Sequence, residues 1–242
     1  MSVARRSSKT TTRYPKEELK AEDAGSTLAS TNDLHLLRKL WHVLGGAGIA
    51  LSYEWWLSWG QCSALLGVLF LGLVLVEVGK SHKSNLSTIV LKISSPLLRK
   101  HEVTGLSGSF YFMFGCLVVV LLFPKYIAVL SILLLSVGDP IASAVGIFFG
   151  KFFKLSNGKS LLGFFAGFLF NMLVAYYYLN IVSTRFSIIN INLLFILIGA
   201  LTASLTEVLI SCTRPRPFPW DDNFVIPIVT AIVLSLYDFF II

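Results

Sequence analysis

The stretch Ser136-Val137-Gly138-Asp139-Pro140-Ile141-Ala142-Ser143-Ala144-Val145-Gly146 lies inside an apolar run covering residues 126–149. The run is long enough to cross a bilayer as a helix, since the hydrocarbon core needs ~20 apolar residues. Within it a carboxylate stands beside a helix breaker. Burying an ionised Asp at membrane depth costs roughly 3 kcal/mol on insertion scales, so such a residue needs a partner and marks a functional site. A short basic loop follows, ending Asn157-Gly158-Lys159-Ser160. A Gly turn and a Lys at the start of a new apolar run form a surface suited to phosphate.

The rest of the chain has the same character. Of 242 residues, 55% are hydrophobic and only 14% charged, with a mean hydropathy of +0.76. A soluble domain cannot hide that much apolar surface, so the chain reads as an integral membrane protein. The strict alternation of a membrane β-barrel is missing. Seven apolar runs occupy approximately 40–58, 62–79, 108–123, 126–149, 160–182, 188–210 and 224–242. The fold class expected is an all-α polytopic membrane protein of about seven transmembrane helices. Residues 1–35 are polar, without hydrophobic periodicity or the apolar core of a secretory signal, and read as a disordered tail. Leu86, Ile89, Val90, Ile93, Leu97 and Leu98 recur at helical spacing in the polar segment 80–107, which suits a helix lying on the membrane.

The net charge of +7 is mostly a matter of topology. With seven spans, the tail through Lys39 and the loops 80–107, 150–159 and 211–222 share one side and hold 18 of the 20 Lys and Arg residues. Only Lys125 and Arg185 lie on the other. The positive-inside rule makes the crowded side cytoplasmic, and with it the N-terminus. Basic residues that flank spans do not build a nucleic-acid surface, so no nucleic-acid partner is expected. Cys62, Cys116 and Cys212 are far apart, follow no metal-binding spacing and are odd in number, which argues against a disulfide framework.

This topology brings the unusual polar groups to one face. Arg38, Lys39 and His42 open the first run, and Glu77 and Lys80 end the second. Asp139 lies in the inner half of the fourth. Asn157, Lys159 and Ser160 open the fifth, Glu207 nears the inner end of the sixth, and Asp221-Asp222-Asn223 opens the seventh. Phosphoryl transfer asks for such parts. It needs cations on the phosphates (Arg38, Lys39, Lys159) and backbone N–H groups at a helix N-terminus (Gly158, Ser160). Asp139 and Asp222, with Asp221 beside it, are candidate oxygen ligands for Mg²⁺, and Asp139 or Glu207 is a candidate base. The Walker pattern fails, because Phe153 stands where its first Gly belongs, and the protein-kinase motifs are absent. Gly163 and Gly167 form a GxxxG, which ordinarily serves helix packing.

Four segments in order carry a more specific likeness. Arg38-Lys39-Leu40-Trp41-His42 is followed by Arg99-Lys100-His101-Glu102 leading to Gly108-Ser109-Phe110-Tyr111. Then come Gly138-Asp139-Pro140-Ile141-Ala142-Ser143 to Gly146 and Asn157-Gly158-Lys159-Ser160-Leu161-Leu162-Gly163, and last Glu207 with Trp220-Asp221-Asp222-Asn223 through Pro227. The chain resembles the CTP-dependent lipid kinases, namely yeast-type diacylglycerol kinase, dolichol kinase and phytol kinase. The resemblance implies a transmembrane lipid-kinase domain over 36–242 that moves the CTP γ-phosphate to a lipid hydroxyl, with Mg²⁺ or another divalent cation such as Ca²⁺. It implies catalytic roles for Asp139, Arg38, Lys39 and Glu207, phosphate contacts at Lys159, Ser160, Asn157, Gly146 and Gly158, and metal contacts at Asp222, Asp221 and Asp139. Diacylglycerol is the expected substrate, with dolichol, another polyprenol or phytol as alternatives. The membrane expected is the endoplasmic reticulum or nuclear membrane in a eukaryote and the inner membrane in a bacterium. CTP and the lipid are the expected partners, and no protein partner is evident. A transporter is the remaining class, but no inverted repeat supports it.

Overall fold

The computed structural model describes residues 31–81, 105–150, 154–155, 159–186, 192–212 and 221–241. Among them are seven α-helices: α1 Thr31–Trp55, α2 Trp59–Ser81, α3 Gly108–Leu122, α4 Lys125–Phe149, α5 Leu161–Phe186, α6 Leu193–Cys212 and α7 Asp222–Ile241. Each apolar run of the sequence has become one helix. Five of them, α2 and α4 to α7, are long and apolar enough to cross a membrane. The other two differ from the expectation. The α3 helix has 15 residues, about 22 Å at the usual helical rise, against ~30 Å of hydrocarbon. The α1 helix starts at Thr31, inside the stretch expected to be tail, and is not among the five. The surface helix expected within 80–107 falls mostly on residues outside those described.

Short polar residues set the helix starts. Ser58 and Gln61 form a reciprocal cap on α2: the Gln61 amide donates to Ser58 Oγ (3.3 Å) and the Ser58 amide to Gln61 Oε1 (2.9 Å). Ser107 caps α3 by accepting from the Phe110 amide at 3.3 Å. Ser160 caps α5 from Gly163 at 3.4 Å, Asn192 caps α6 from Leu194 at 2.9 Å, and Asp221 caps α7 from Asn223 at 3.0 Å. Each satisfies one of the N–H groups that a helix leaves unpaired at its start.

Helix α4 is the centre of the bundle, packing against α1, α3, α5, α6 and α7. Ten consecutive residues, Ile127 to Ser136, are buried. Outer helices instead turn apolar side chains outward: Val68, Leu71 and Leu75 of α2 and Phe239 and Phe240 of α7 are exposed, as lipid-facing residues must be. The α4–α5 crossing is close because glycines line it. A Cβ on Gly163 would lie 2.5 Å from the Ala142 carbonyl oxygen, and one on Gly167 2.9 Å from Ala142 Cβ. The GxxxG does serve packing. Pro140, inside α4, has no N–H and so leaves the Ser136 carbonyl without its usual helical donor, one turn from Asp139.

Candidate active site

The ends of α2, α6 and α4 meet the beginnings of α3, α5 and α7 at one end of the bundle. Lys159, just ahead of α5, donates to Glu207 Oε1 of α6 at 2.6 Å. The Glu207 side chain is 5% exposed and the Lys159 side chain 26%, so this pair is sunk into the protein with one edge open. The negative charges of Asp139 on α4 and Asp222 on α7 also act on Lys159. Burial alone would pull the Lys159 ammonium's pKa down, but Glu207, Asp139 and Asp222 outweigh it and hold the group above its ordinary value. Three carboxylates from three helices therefore face one lysine.

A second set of contacts adjoins the first through α7. The Asn223 side-chain amide donates to Asp221 Oδ1 at 2.7 Å and to the Gly108 carbonyl at 3.4 Å. Its own oxygen meets His42 Nε2 of α1 at 3.0 Å. The His42 ring stacks on Phe112 of α3, with centroids 4.9 Å apart. Further along, Ser107 donates to Glu77 Oε1 through its hydroxyl (2.6 Å) and its amide (3.2 Å). Glu77 also pairs with Lys80 at 2.5 Å, and Lys80 donates to the Gly105 carbonyl at 3.1 Å. Glu77, Asp221, Asn223 and His42 are all buried. A network this enclosed is stable only when its members have partners, which they supply to one another.

The residues singled out in the sequence fare unequally. Asp139, Lys159, Glu207 and Asp222 come together. Lys39 lies one helical turn before His42 on α1 and so shares its face. Asp221 accepts at Oδ1 from the Asn223 amide and side chain, and Asp222 Oδ1 accepts from the same Asn223 amide at 3.2 Å. Ser160 is buried, caps α5, and packs against Gly150, where any Cβ would collide with it. Gly146 faces the same crossing, its missing Cβ 3.4 Å from Ser160 Cβ. These two belong to the helix junction that carries the loop. Arg38 lies in α1 with its side chain outside the described part, and Asn157 and Gly158 lie outside the described residues. Among the described residues, no group of three or more His, Cys, Asp or Glu is placed to hold a metal ion, so Asp139, Asp221 and Asp222 do not form a ready cage. Ser107, Asn171 and Ser204 escaped the reading of the sequence. Asn171 in the middle of the apolar run of α5 was the available signal, since a polar side chain at that depth must have a reason to be there.

No family model matches the chain, and no solved structure does. Curated proteins do. The chain is 30% identical to the CTP-dependent diacylglycerol kinase 1 of Eremothecium gossypii over 184 residues, which is 68% of this chain and 55% of that protein. It is 30% identical to the protein of the same name from Schizosaccharomyces pombe over 171 residues, 62% of this chain and 69% of that one. An uncharacterised protein of Rickettsia prowazekii is 28% identical over 170 residues, 68% of this chain and 76% of that protein. A helical membrane bundle with clustered carboxylates and a lysine at one end defines the class, and the chain belongs to the CTP-dependent lipid kinase family. The match reaches only about half the length of the Eremothecium relative.

Proposed function

We propose that this protein transfers the γ-phosphate of CTP to the hydroxyl of a membrane lipid alcohol, diacylglycerol by preference, giving phosphatidic acid. The observation that carries the reading is the meeting of Lys159 with Glu207, under the charges of Asp139 and Asp222, at one end of the bundle. Phosphoryl transfer asks little covalent chemistry of a protein and a great deal of positioning and charge compensation. Lys159 meets the phosphates as a fixed cation, held in place by Glu207. Lys39 and Arg38 add positive charge from α1. Helices α5 and α7 both begin at this end and direct their N-terminal N–H groups toward an anion there. Asp139, set at the Pro140 break, takes the proton of the lipid hydroxyl. The carboxylates outnumber Lys159, and oxygen donors in excess suit a hard divalent cation. Asp139 and Asp222 would hold it; Mg²⁺ commonly takes one or two carboxylates and completes its shell with phosphate oxygens and water. When bound, that ion neutralises charge on the triphosphate.

The site faces the cytosol in this reading, because the basic residues crowd that side and CTP is a cytosolic metabolite. The membrane is the endoplasmic reticulum or nuclear envelope in a eukaryotic cell and the inner membrane in a bacterial one.

The test is transfer of label in detergent micelles from γ-labelled CTP or ATP, with Mg²⁺ and diacylglycerol, dolichol or phytol offered separately. Label passing from CTP to phosphatidic acid, and lost in Asp139→Ala, is the expected result. Label entering only a polyprenol or phytol would retain the chemistry and change the substrate. No transfer from either nucleotide to any lipid would sink the reading.

A further inference from the structure

Asn171 lies inside the bundle, on α5, and is 2% exposed. Its amide fills the space that a side chain at Gly138 would take. A Cβ there would lie 2.7 Å from Asn171 Cγ and closer still to both of its polar atoms. One turn earlier on α5, a Cβ on Gly167 would lie 3.3 Å from the Gly138 carbonyl oxygen. Two successive turns of α5 therefore bracket Gly138, the residue before Asp139. On its other side the amide Nδ2 donates to Ser204 Oγ of α6 at 3.2 Å. Ser204 is three residues, a single turn, from Glu207. The amide thus touches the helix carrying Asp139 and the helix carrying Glu207, close to both.

The remaining polar atom of that amide is the unusual part. Asn171 Oδ1 is buried and has no hydrogen-bond partner among the described residues. Turning the amide over does not help, because Ser204 can then engage the oxygen but leaves the NH₂ group alone. A buried polar group left unpaired works against stability, and an apolar side chain would suit this depth better. Stability of the bundle does not account for an asparagine here.

Building on the kinase reading above, we propose that Asn171 is a positioning residue: its amide, seated at Gly138 and tied to Ser204, sets the separation of Asp139 from Glu207 and its Lys159. It touches no substrate. It acts by keeping α4 and α6 in register at the depth of the reacting groups, where a displacement near 1 Å is enough to lower turnover steeply.

The test compares Asn171→Ala, Gly138→Ala and the double variant in the full chain, in micelles, with CTP and diacylglycerol. Asn171→Ala is expected to lower kcat by roughly tenfold to a hundredfold, with KM for CTP and the unfolding temperature unchanged or the latter raised. Gly138→Ala is expected to lower kcat similarly, by pushing the amide out. In the double variant the new methyl occupies the vacated room, so the two losses do not multiply. Asn171→Gln, too long for the notch, does not rescue. Wild-type kcat in Asn171→Ala, loss of kcat only in step with lost stability, or multiplying losses in the double variant would each overturn the proposal. A readout independent of turnover uses Asp139→Cys/Glu207→Cys in a background without the native cysteines. A short thiol-reactive cross-linker, a bis-methanethiosulfonate that forms a disulfide with each cysteine and releases two sulfinates, should bridge the pair several-fold more slowly once Asn171 is Ala, and an unchanged rate would also overturn it. If the wild-type chain transfers no phosphate, the kinase reading fails while the bridging rate still decides the role of Asn171.

Discussion

Lys159 and Glu207 stand 48 residues apart in the chain and 2.6 Å apart in space, joining the start of one helix to the last turns of another. Removing one member of such a pair leaves the other buried without its charge partner. Lys159→Met should therefore destabilise the protein by about 3 kcal/mol, and Lys159→Met/Glu207→Gln should recover much of that loss. Thermal unfolding in micelles measures both. Neither variant should transfer phosphate at more than about a hundredth of the wild-type rate, because the fixed cation is gone in each.

The pH dependence of this pair has a definite sign. The Lys159 pKa is raised in the fold, so the stability it contributes is fully present below the ordinary lysine value and lost only as pH climbs through the raised one. A stability profile from pH 6 to pH 9 should carry no titration of the Lys159 ammonium itself. The nitrogen chemical shift of the Lys159 ammonium measures this directly, and a titration of that group below pH 9 would contradict the charge balance described here.

Asp139→Asn keeps the size of the side chain and removes its charge. It should leave the fold intact and lower kcat by roughly 10²–10⁴, the range associated with a positioned general base. Near-wild-type turnover in this variant would remove Asp139 from the chemistry.

Asn223 holds together His42, Asp221 and the Gly108 carbonyl. Asn223→Ala strips partners from buried groups on α1, α3 and α7 and should cost about 1–3 kcal/mol, read as a lowered unfolding temperature. Loss of activity should accompany it, because Asp221, beside Asp222, loses the Asn223 side-chain donor at 2.7 Å.

Glycines separate into two kinds. Gly163→Ala forces a methyl against the Ala142 backbone oxygen, 2.5 Å away, and should cost about 1–3 kcal/mol as overpacking. Gly45 has nothing within 4 Å of its would-be Cβ, so Gly45→Ala should be neutral or stabilising by about 0.5–1 kcal/mol. Equal effects at both positions would mean that the α4–α5 crossing is looser than described.

The sequence made helix number legible because each span is a long apolar run bounded by polar residues, and that signal depends only on composition. It also made Asp139, Lys159, Glu207 and Asp222 visible, since charge in or beside a span is costly enough to need a reason. What it hid was the packing duty of polar groups. Ser160 reads as a phosphate contact beside Lys159, and its hydroxyl also caps α5 by accepting from the Gly163 amide. Asp221 and Asp222 read as metal ligands, and the fold adds that both accept from the Asn223 amide at the head of α7. The start of α1 was also hidden, because Thr31-Asn32-Asp33 continues the polar composition of the tail, and composition alone cannot mark where such a stretch becomes helical. Asn171 and Ser204 are weak signals singly, and only the crossing of α5 between α4 and α6 gives them a joint meaning.

The order in which a ribosome delivers these helices has a consequence. Lys159 and Glu207 are both made before Asp222 and Asn223, which join them at the head of α7. Until that last helix enters the membrane, the nascent chain carries an incomplete set of charges and one fewer wall around them. A transcript broken anywhere ahead of Asp221 should therefore yield a silent fragment.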